Sequence, residues 1–447
     1  MGFSDKIGPS NAGGTKAGDM DGLLKNQDYR PRLIDREVDE LMQLFGAVKI
    51  EGPKYCGKTW CAQAHANSEI RLDREESRNL VRMDHRIALE GERPRLIDEW
   101  QEVPGLHDDV RRAVDDSGTR GLYLLTGSSL PPQEGYSHSG AGRIARVHMR
   151  TESLFEQGIS DGSRGIGSLF SAEDVVAPAP DATIADIASW VCRGGWPAMR
   201  GMSERACARL NRQYLSSVFD EDAPRKRLSA SMARNALAAL ARNVATAATY
   251  KTLRSDMARG EDGTVTDADV VKYLDFFRSM YLIEEIPGWD VGVRSKKHLR
   301  TKPKRYFADP ALAASMLGVS STALQADTQL LGLLFENLCL RDLLVYLSAS
   351  DGFQDARVCY YGDDTGLEVD FVLQMPDGRW GAIEVKLAED KVPAGVANLV
   401  RLRDLAAKNA AQRMPPPSFL AVLVGRASYA HGTEEGVKVV PLTMLGP

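Results

Sequence analysis

Residues 52–59 limit the possible folds of this chain more than any other stretch. Their sequence, GPKYCGKT, fits the pattern G-x-x-x-x-G-K-[ST] at every fixed position. The apolar run AVKI precedes them and the helix-forming run TWCAQAHA follows them, which is the context that the pattern requires. Such a loop turns backbone amides toward phosphate groups. The sequence therefore predicts an α/β domain with a nucleotide-phosphate site at the end of one strand.

The side chains of this loop have separate expected roles. Gly52 and Gly57 allow the tight turns, and Lys58 is expected to reach the β and γ phosphate oxygens. Thr59 is expected to hold Mg²⁺, so ATP and Mg²⁺ are the predicted ligands. The residues expected to contact the nucleotide are Gly52, Pro53, Lys54, Tyr55, Cys56, Gly57, Lys58, Thr59 and Trp60.

Two later strands supply polar groups that hydrolysis needs. In PRLIDEW, Asp98 is expected to bind the metal ion, commonly through water, and Glu99 to polarise the attacking water. In LYLLTGSS a buried strand ends in hydroxyl residues, so Thr126 or Ser128 is expected to sense the γ-phosphate. Each pattern also has an ordinary explanation: a helix N-cap or solvated turn for the acidic pair, and a self-capping turn for the hydroxyls.

An arginine that meets the developing charge accelerates phosphoryl transfer by several orders of magnitude. GAGRIARVHMR offers Arg143, Arg146 and Arg150, of which Arg143 is the first choice. Such an arginine acts within its own chain or from a neighbouring subunit, and the second case implies a homo-oligomer. The alternative is that these are ordinary surface arginines.

The composition limits the remaining functions. The 447 residues suffice for two to four domains. The net charge of −5 argues against nucleic-acid binding over the whole surface, although a local basic patch is compatible with it. No apolar run approaches the roughly 18 to 20 residues of a membrane-spanning helix, and no signal peptide is recognisable, so a cytoplasmic protein without a membrane partner is expected. Residues 1–28, rich in Gly, Ser, Asn and Asp, are predicted to be a disordered leader.

The cysteines are expected to be reduced thiols that pack individually. They form no C-x-x-C pair and have no nearby pair of histidines, so the sequence predicts neither a zinc site nor a disulfide framework. They are Cys56, Cys61, Cys192, Cys207, Cys339 and Cys359.

Further along the chain, the pattern changes three times. Apolar runs alternate with helical stretches between residues 46 and 150, which is typical of a parallel sheet covered on both faces. Residues 171–186, SAEDVVAPAPDATIAD, are predicted to be a connection, and Ala-rich helical sequence follows to about residue 258. A helix and a strand come next, and from Leu331 a helix leads into alternating strands.

These landmarks, in this order, resemble a large family of bacterial and archaeal AAA-type ATPases over about residues 29–440. The resemblance rests on YRPRLIDREVDEL, IEGPKYCGKTW, RLIDEWQEVP, LLTGSS and GAGRIARV, and later on RGGWPAM, VVKYLDFFRSMYLIEEIPGW, KRYFADPALAA and FENLCLRDLL. It implies an AAA-type ATPase domain with a P-loop parallel sheet (29–170), a helical region (171–258), a winged-helix-like region (259–315) and an α/β restriction-endonuclease-like domain of unknown function (325–447). The family brings no settled biological role, and Lys54 stands where many relatives have arginine.

The segment GLEVDFVLQMPDGRWGAIEVK is predicted to form a β-hairpin. Asp370 lies on its first strand, and Glu384 and Lys386 lie on one face of its second, which resembles the D…ExK core of nuclease-like domains. There the carboxylates hold a divalent cation and the lysine stabilises phosphate charge or orients water. By the same resemblance Glu336 is a further ligand. The alternatives are a nuclease-derived domain that has lost the reaction, and an ordinary hairpin with a cross-strand ion pair.

Residues 294–305, RSKKHLRTKPKR, form the densest basic run and are a candidate surface for double-stranded DNA. The ordinary alternative is a solvated charged surface, because few aromatic residues are interleaved with the charges.

Three functions remain open from the sequence. The leading hypothesis is an ATP-hydrolysing enzyme whose nucleotide state repositions the C-terminal domains. The second is a DNA-binding regulator that a nucleotide switches with little turnover. The third is an ATP-gated, metal-dependent nuclease centred on Asp370, Glu384 and Lys386.

Overall fold

The computed structural model describes residues 29–129, 140–171, 176–259, 264–289, 302–408 and 415–447. The predicted leader, residues 1–28, lies outside the described residues, as does the part of the basic run from 294 to 301. Within the described ranges, no helix combines the length and the apolar character needed to cross a membrane.

A parallel sheet forms the centre of the amino-terminal part. Its elements are α1 (Asp35–Leu44), β1 (Ala47–Glu51), α2 (Lys58–His65), β2 (Ser68–Arg71), α3 (Glu75–Met83), α4 (Arg86–Leu89), β3 (Arg95–Asp98), α5 (Leu106–Ser117), β4 (Tyr123–Gly127) and β5 (Ile144–His148). The strands are all parallel, in the order β2-β3-β4-β1-β5. Every residue of β1, β3 and β4 is buried, which explains why the sequence showed short apolar runs rather than alternation. The α/β prediction for this part is confirmed.

Helices dominate the middle of the chain. The elements there are β6 (Arg164–Gly165), α6 (Ile166–Phe170), β7 (Ala177–Pro178), α7 (Ile184–Arg193), α8 (Glu204–Ser217), α9 (Ala223–Arg225), α10 (Ala230–Arg242), α11 (Tyr250–Met257), α12 (Asp267–Ser279), β8 (Ile283–Ile286), β9 (Lys304–Phe307), α13 (Pro310–Leu317) and α14 (Ser321–Ala326). Capping boxes at Thr183 and Thr266 begin α7 and α12, because each threonine bonds the amide of an aspartate three residues on. A π-helical turn, Val218–Asp222, separates α8 from α9. The helix α12 and the antiparallel pair β8-β9 occupy the predicted winged-helix-like region, whose type stays a prediction.

A mixed sheet forms the C-terminal part. Its elements are α15 (Thr328–Ala349), β10 (Arg357–Gly362), β11 (Glu368–Gln374), β12 (Trp380–Ala388), α16 (Val392–Lys408), β13 (Phe419–Arg426), β14 (Tyr429–Gly432), β15 (Lys438–Pro441) and β16 (Leu445–Gly446). The strand order is β10-β11-β12-β13-β15-β14-β7. The hairpin predicted from the sequence is present as β11 and β12, with Phe371 opposite Ile383. One face of the sheet packs with α15 and the helical region, and the other packs with α16.

The segment predicted as a connection does more than join two domains. β7 pairs with β14 at the edge of the C-terminal sheet, and β6 pairs with β16. In addition, the Ser160 hydroxyl donates to the carbonyl oxygen of Leu445 at 2.6 Å. The chain therefore contacts the C-terminal sheet before it enters the helical region, which a simple linear division at residue 171 does not describe.

Candidate functional site

The phosphate loop follows β1 and requires glycine at two positions. Gly52 has φ +154°, and a Cβ atom there would lie 2.1 Å from the carbonyl oxygen of Met149 on the strand side. Gly57 has φ +109° at the start of α2. Both values lie in the region that L-residues rarely adopt, and any side chain at Gly52 would in addition collide with backbone. The two glycines of the motif are thus explained by the loop's own geometry.

Lys58 is the first residue of α2 and is held along the loop. Its Nζ donates to the carbonyl oxygens of Gly52 at 3.0 Å and Pro53 at 2.7 Å, and the side chain is buried. The backbone amides of the first turn of α2 also face the loop, because the amides of a first helical turn have no partner within the helix. This combination of an ammonium group and unpaired amides suits an anion.

Two threonines converge on Asp98 at the end of β3. The Thr59 hydroxyl donates to Asp98 Oδ1 at 2.8 Å, and the Thr126 hydroxyl donates to the same oxygen at 2.5 Å. Thr126 reaches this point because β4 lies between β1 and β3 in the sheet. The other oxygen of Asp98 lies 3.6 Å from Arg71 Nε. A hydroxyl and a carboxylate oxygen are hard ligands of the kind that Mg²⁺ prefers, so the donor set fits this ion.

Glu99 follows Asp98 with φ +55°. Its Oε2 accepts hydrogen bonds from the Ser128 hydroxyl at 3.0 Å and from the side-chain amide of Gln101, and its backbone amide donates to Thr126 Oγ1. A non-glycine residue in this region is uncommon and carries strain that the surrounding hydrogen bonds must offset. Glu99 and Ser128, which the sequence predicted, are therefore brought together, whereas Gln101 was not anticipated.

These side chains open into a cleft of about 1250 Å³ between the parallel sheet and the helical region. Tyr55 and Trp60 stand at its wall with 66% and 44% of their surface exposed. Across the cleft, Lys54 Nζ contacts both carboxylate oxygens of Asp222 at 2.8 and 2.7 Å. The phosphate loop is thus linked by an ion pair to the π-helical turn of the helical region.

The arginines chosen from the sequence do not reach this cleft. Arg143 precedes β5, and Ala47, at the start of β1, donates its amide to the Arg143 carbonyl. The strands are parallel, so Arg143 lies at the amino edge of the sheet, about 15 Å along β1 from the phosphate loop at about 3.3 Å per residue. Its guanidinium pairs with Asp115 at 2.7 Å. Within its own chain, the first-choice arginine is therefore on the wrong edge of the sheet.

The other two sequence candidates are also placed elsewhere. Arg146 lies within edge strand β5, and Arg150 pairs with Glu284 at 2.9 Å. The arginines that do line the cleft from the helical side are Arg200 and Arg225, which belong to no recognisable motif. Arg200 contacts both oxygens of Glu152, whereas Arg225 has no hydrogen bond or ion pair with another described residue.

In the C-terminal sheet, the carboxylates of the predicted nuclease-like site lie near one another, and each contacts a lysine or lies close to one. Lys304 Nζ lies 3.1 Å from Glu336, 3.6 Å from Asp370 and 2.6 Å from Glu368. Lys386 Nζ contacts Glu384. The Lys304 ammonium group therefore lies between Glu336, Glu368 and Asp370, where a cation would bind, and Lys386, the lysine of the predicted motif, pairs with Glu384.

Burial and mutual repulsion act strongly on these carboxyl groups. Burial, reinforced by the nearby charge of Asp370, raises the pKa of Glu336 to about 8 and that of Glu384 to about 8. Asp370 also has a backbone partner, because its Oδ2 accepts a hydrogen bond of 2.8 Å from the amide of Val385.

The structure also corrects the interpretation of the basic run where it is described. Lys304 and Arg305 lie on β9 and are buried, with Arg305 Nε 2.8 Å from Glu285. These two cations neutralise internal carboxylates, so they do not belong to a surface for DNA.

Family comparisons cover three consecutive parts of the chain. Residues 45–157 match the family described as AAA domain. Residues 184–323 and 331–445 match families described as Domain of unknown function (DUF8612) and Domain of unknown function (DUF4143). No curated protein matches the chain.

Among solved structures, the chain is similar to the Walker-type ATPase PABY2304 of Pyrococcus abyssi. The sequence identity is 13%, the TM-score is 0.40, and the similarity covers 66% of this chain and 100% of that one. The family match, the parallel sheet and the phosphate loop together identify the amino-terminal part of the chain as an AAA-like P-loop domain.

Proposed function

We propose that the chain binds ATP in the cleft beside the parallel sheet and hydrolyses it with Mg²⁺. The observation that supports the proposal is the hydrogen bond of 2.8 Å from the Thr59 hydroxyl to Asp98 Oδ1. Thr59 lies at the amino end of α2, and Asp98 directly precedes Glu99. A cation ligand pair, an anion-binding helix end and a candidate base are the parts that cleavage of a metal-bound phosphate requires.

Each residue has a defined task in this proposal. Lys58 exchanges the carbonyl oxygens of Gly52 and Pro53 for phosphate oxygens. Thr59 and Asp98 would hold Mg²⁺, which would supply positive charge beside the phosphates. Glu99 orients the attacking water and accepts its proton.

Ser128 and Gln101 hold the carboxylate of Glu99 before the nucleotide enters. Hydrolysis by this route needs Glu99 to turn from these partners toward the water. The same two hydrogen bonds hold Glu99 inactive when no γ-phosphate is present, which couples turnover to correct occupancy of the cleft.

We further propose that Arg225 contacts the nucleotide phosphates within the same chain. It is exposed, lines the cleft opposite Lys58, and makes no ion pair with another described residue. A cation already paired, such as Arg200, would have to give up a buried carboxylate first. Through Arg225 and the Lys54–Asp222 pair, phosphate occupancy would move the helical region relative to the sheet.

The test is Mg²⁺-dependent ATP hydrolysis by the full chain. Glu99→Gln is expected to lower kcat about 100-fold or more while ATP binding persists, because the general base is lost but the phosphate loop is intact. Glu76→Gln, an exposed glutamate on α3, is the matched control and should leave kcat unchanged. Equal rates for the Glu99→Gln and Glu76→Gln variants would contradict the role of Glu99.

A further inference from the structure

Helices α1 and α2 meet behind the phosphate loop, and three side chains of different chemistry converge there. Asp35 comes from α1, and Cys61 and His65 come from α2. The Sγ atom of Cys61 lies 3.3 Å from Asp35 Oδ1, and the Nε2 atom of His65 lies 3.5 Å from the same oxygen. The three candidate ligand atoms all lie within 4.8 Å of one another.

These separations are those of ligands around one metal ion. Tetrahedral zinc has Zn–S near about 2.3 Å and Zn–N and Zn–O near about 2.0 Å, so its ligand atoms lie about 3.3 to 3.6 Å apart. The two measured separations from Asp35 Oδ1 fall in that interval. The third separation, between Cys61 Sγ and His65 Nε2, is at most 4.8 Å, so a point about 2.4 Å or less from all three atoms lies between them.

The histidine is oriented as metal-binding histidines are. His65 Nδ1 lies 2.8 Å from a carboxylate oxygen of Asp39, one turn along α1 from Asp35. In the neutral imidazole, that contact favours the proton on Nδ1 and leaves the lone pair of Nε2 facing Cys61 and Asp35. Nε2 is buried and makes no hydrogen bond to any described residue. This buried nitrogen faces a thiol and a carboxylate, and its contact with Asp35 Oδ1 at 3.5 Å is longer than a hydrogen bond of ordinary length, as it is between two ligands of one metal ion.

We propose that Asp35, Cys61 and His65 form a binding site for a zinc-class divalent cation. Thiolate, imidazole and carboxylate together favour zinc over the hard cations Mg²⁺ and Ca²⁺, which take oxygen ligands only. The Tyr29 hydroxyl donates to Asp35 Oδ1 at 2.6 Å and orients this carboxylate, and a water molecule would complete four ligands. This site is separate from the magnesium ligands of the cleft.

The chemistry of binding follows from burial. Burial raises the pKa of the Cys61 thiol, so without a metal the sulfur keeps its proton and donates to Asp35. On binding, that S–H bond breaks, the sulfur forms a bond to the cation, and one proton leaves to solvent. No electrons are transferred.

Only two of the three proposed ligands are close together in the sequence. Cys61 and His65 are four residues apart, and residues at that spacing share one face of a helix. The third ligand, Asp35, comes from a different helix. The sequence analysis looked only for a C-x-x-C pair or a pair of histidines, and those criteria do not detect a set of one aspartate, one cysteine and one histidine.

The first experiment measures metal content. The full chain is purified by gel filtration without chelator, and zinc is measured by mass spectrometry of the wild type and of the Cys61→Ala and His65→Ala variants. We expect about one zinc per wild-type chain and less than about a tenth of that in either variant. The variants Cys207→Ala, another buried thiol, and His431→Ala should keep the wild-type content.

The main result of the second experiment comes from the wild-type protein and does not depend on the folding of the Cys61→Ala and His65→Ala variants. Chelator-treated wild-type protein is titrated with Co²⁺, which gives a sulfur-to-cobalt charge-transfer absorption only if a thiolate is a ligand. The band should appear and should be removed by added zinc, and Asp39→Asn should weaken cobalt binding about 10- to 100-fold. A wild-type protein that holds no zinc and gives no such band would overturn the proposal, and so would zinc content unaffected by Cys61→Ala and His65→Ala. In that case Asp35, Cys61 and His65 are a hydrogen-bonded cluster and nothing more.

Discussion

Replacing Lys304 by methionine should destabilise the C-terminal sheet, by an amount that depends on pH. The Lys304 side chain is 2% exposed and is the cation nearest to Glu336 and Asp370. Removing one partner of a buried ion pair costs about 3 to 5 kcal/mol, because the remaining charge is left unpaired. The third contact, to the exposed Glu368, adds at most about 1 kcal/mol.

The sign of the pH dependence follows from the raised pKa of the buried glutamates. Glu336 has a folded-state pKa of about 8 against an ordinary value of 4.5, so between these values the folded chain binds more protons than the unfolded chain. Stability therefore falls as pH rises through this window, and it is highest at the acid end. Without Lys304 the negative charge is less compensated, so the loss in the Lys304→Met variant should be largest near pH 8 and smaller near pH 6.

Urea unfolding at both pH values measures this. At pH 8 the midpoint of the Lys304→Met variant should fall by about 1 to 2 M, taking about 2 to 3 kcal/mol per M of urea. Lys302→Met, two residues earlier and exposed, is the matched control and should leave the midpoint unchanged. A loss below about 1 kcal/mol at both pH values would refute the view that Lys304 neutralises a buried carboxylate cluster.

Three further predictions concern the cleft and the C-terminal sheet. Gly52→Ala should reduce binding of a fluorescent ATP analogue more than about 100-fold because its Cβ would overlap a backbone oxygen, whereas Gly118→Ala, with positive φ but no atom within 4 Å, should bind normally. Arg225→Ala should lower the kcat of ATP hydrolysis at least about tenfold. Arg209, an exposed arginine on α8, is the control, and an equal loss in Arg209→Ala would contradict a specific role of Arg225. The full chain with Mg²⁺ or Mn²⁺ should not cut duplex DNA above the level of Asp370→Asn, because the Lys304 ammonium group lies between Glu336, Glu368 and Asp370; cutting that Asp370→Asn abolishes would restore the nuclease hypothesis.

The phosphate loop and its sheet were predictable because the information is local. The spacing of Gly52 and Gly57 reflects backbone angles that only a short stretch of chain determines. The strands were visible as short apolar runs because β1, β3 and β4 are covered on both faces. Asp98 and Glu99 could be selected because each follows such a strand at its carboxyl end, where the loop also lies.

Contacts between distant parts of the chain could not be predicted in this way. Arg143 was the first choice among three arginines of one segment, but the sequence of that segment does not say at which edge of the parallel sheet each of them lies. Lys304 was counted in a basic run, whereas its partner Glu336 is 32 residues away. The Lys54–Asp222 pair joins residues 168 apart. In each case the charged residue was recognised in the sequence, but the residue with which it pairs in the fold could not be predicted.

The pairing of β6 with β16 and of β7 with β14 makes the C-terminal unit discontinuous in sequence. The Ser160 hydroxyl and its acceptor Leu445 are 285 residues apart, and the helical region lies in sequence between the strands β6 and β7 and the C-terminal strands with which they pair. Contacts of such long range close large loops, so this edge of the sheet forms late in folding. A fragment beginning at residue 325 would lack β6 and β7 and would expose β14 as an unpaired edge, which favours aggregation. The folding and stability of the C-terminal sheet should therefore be studied in fragments that also retain residues 158–180.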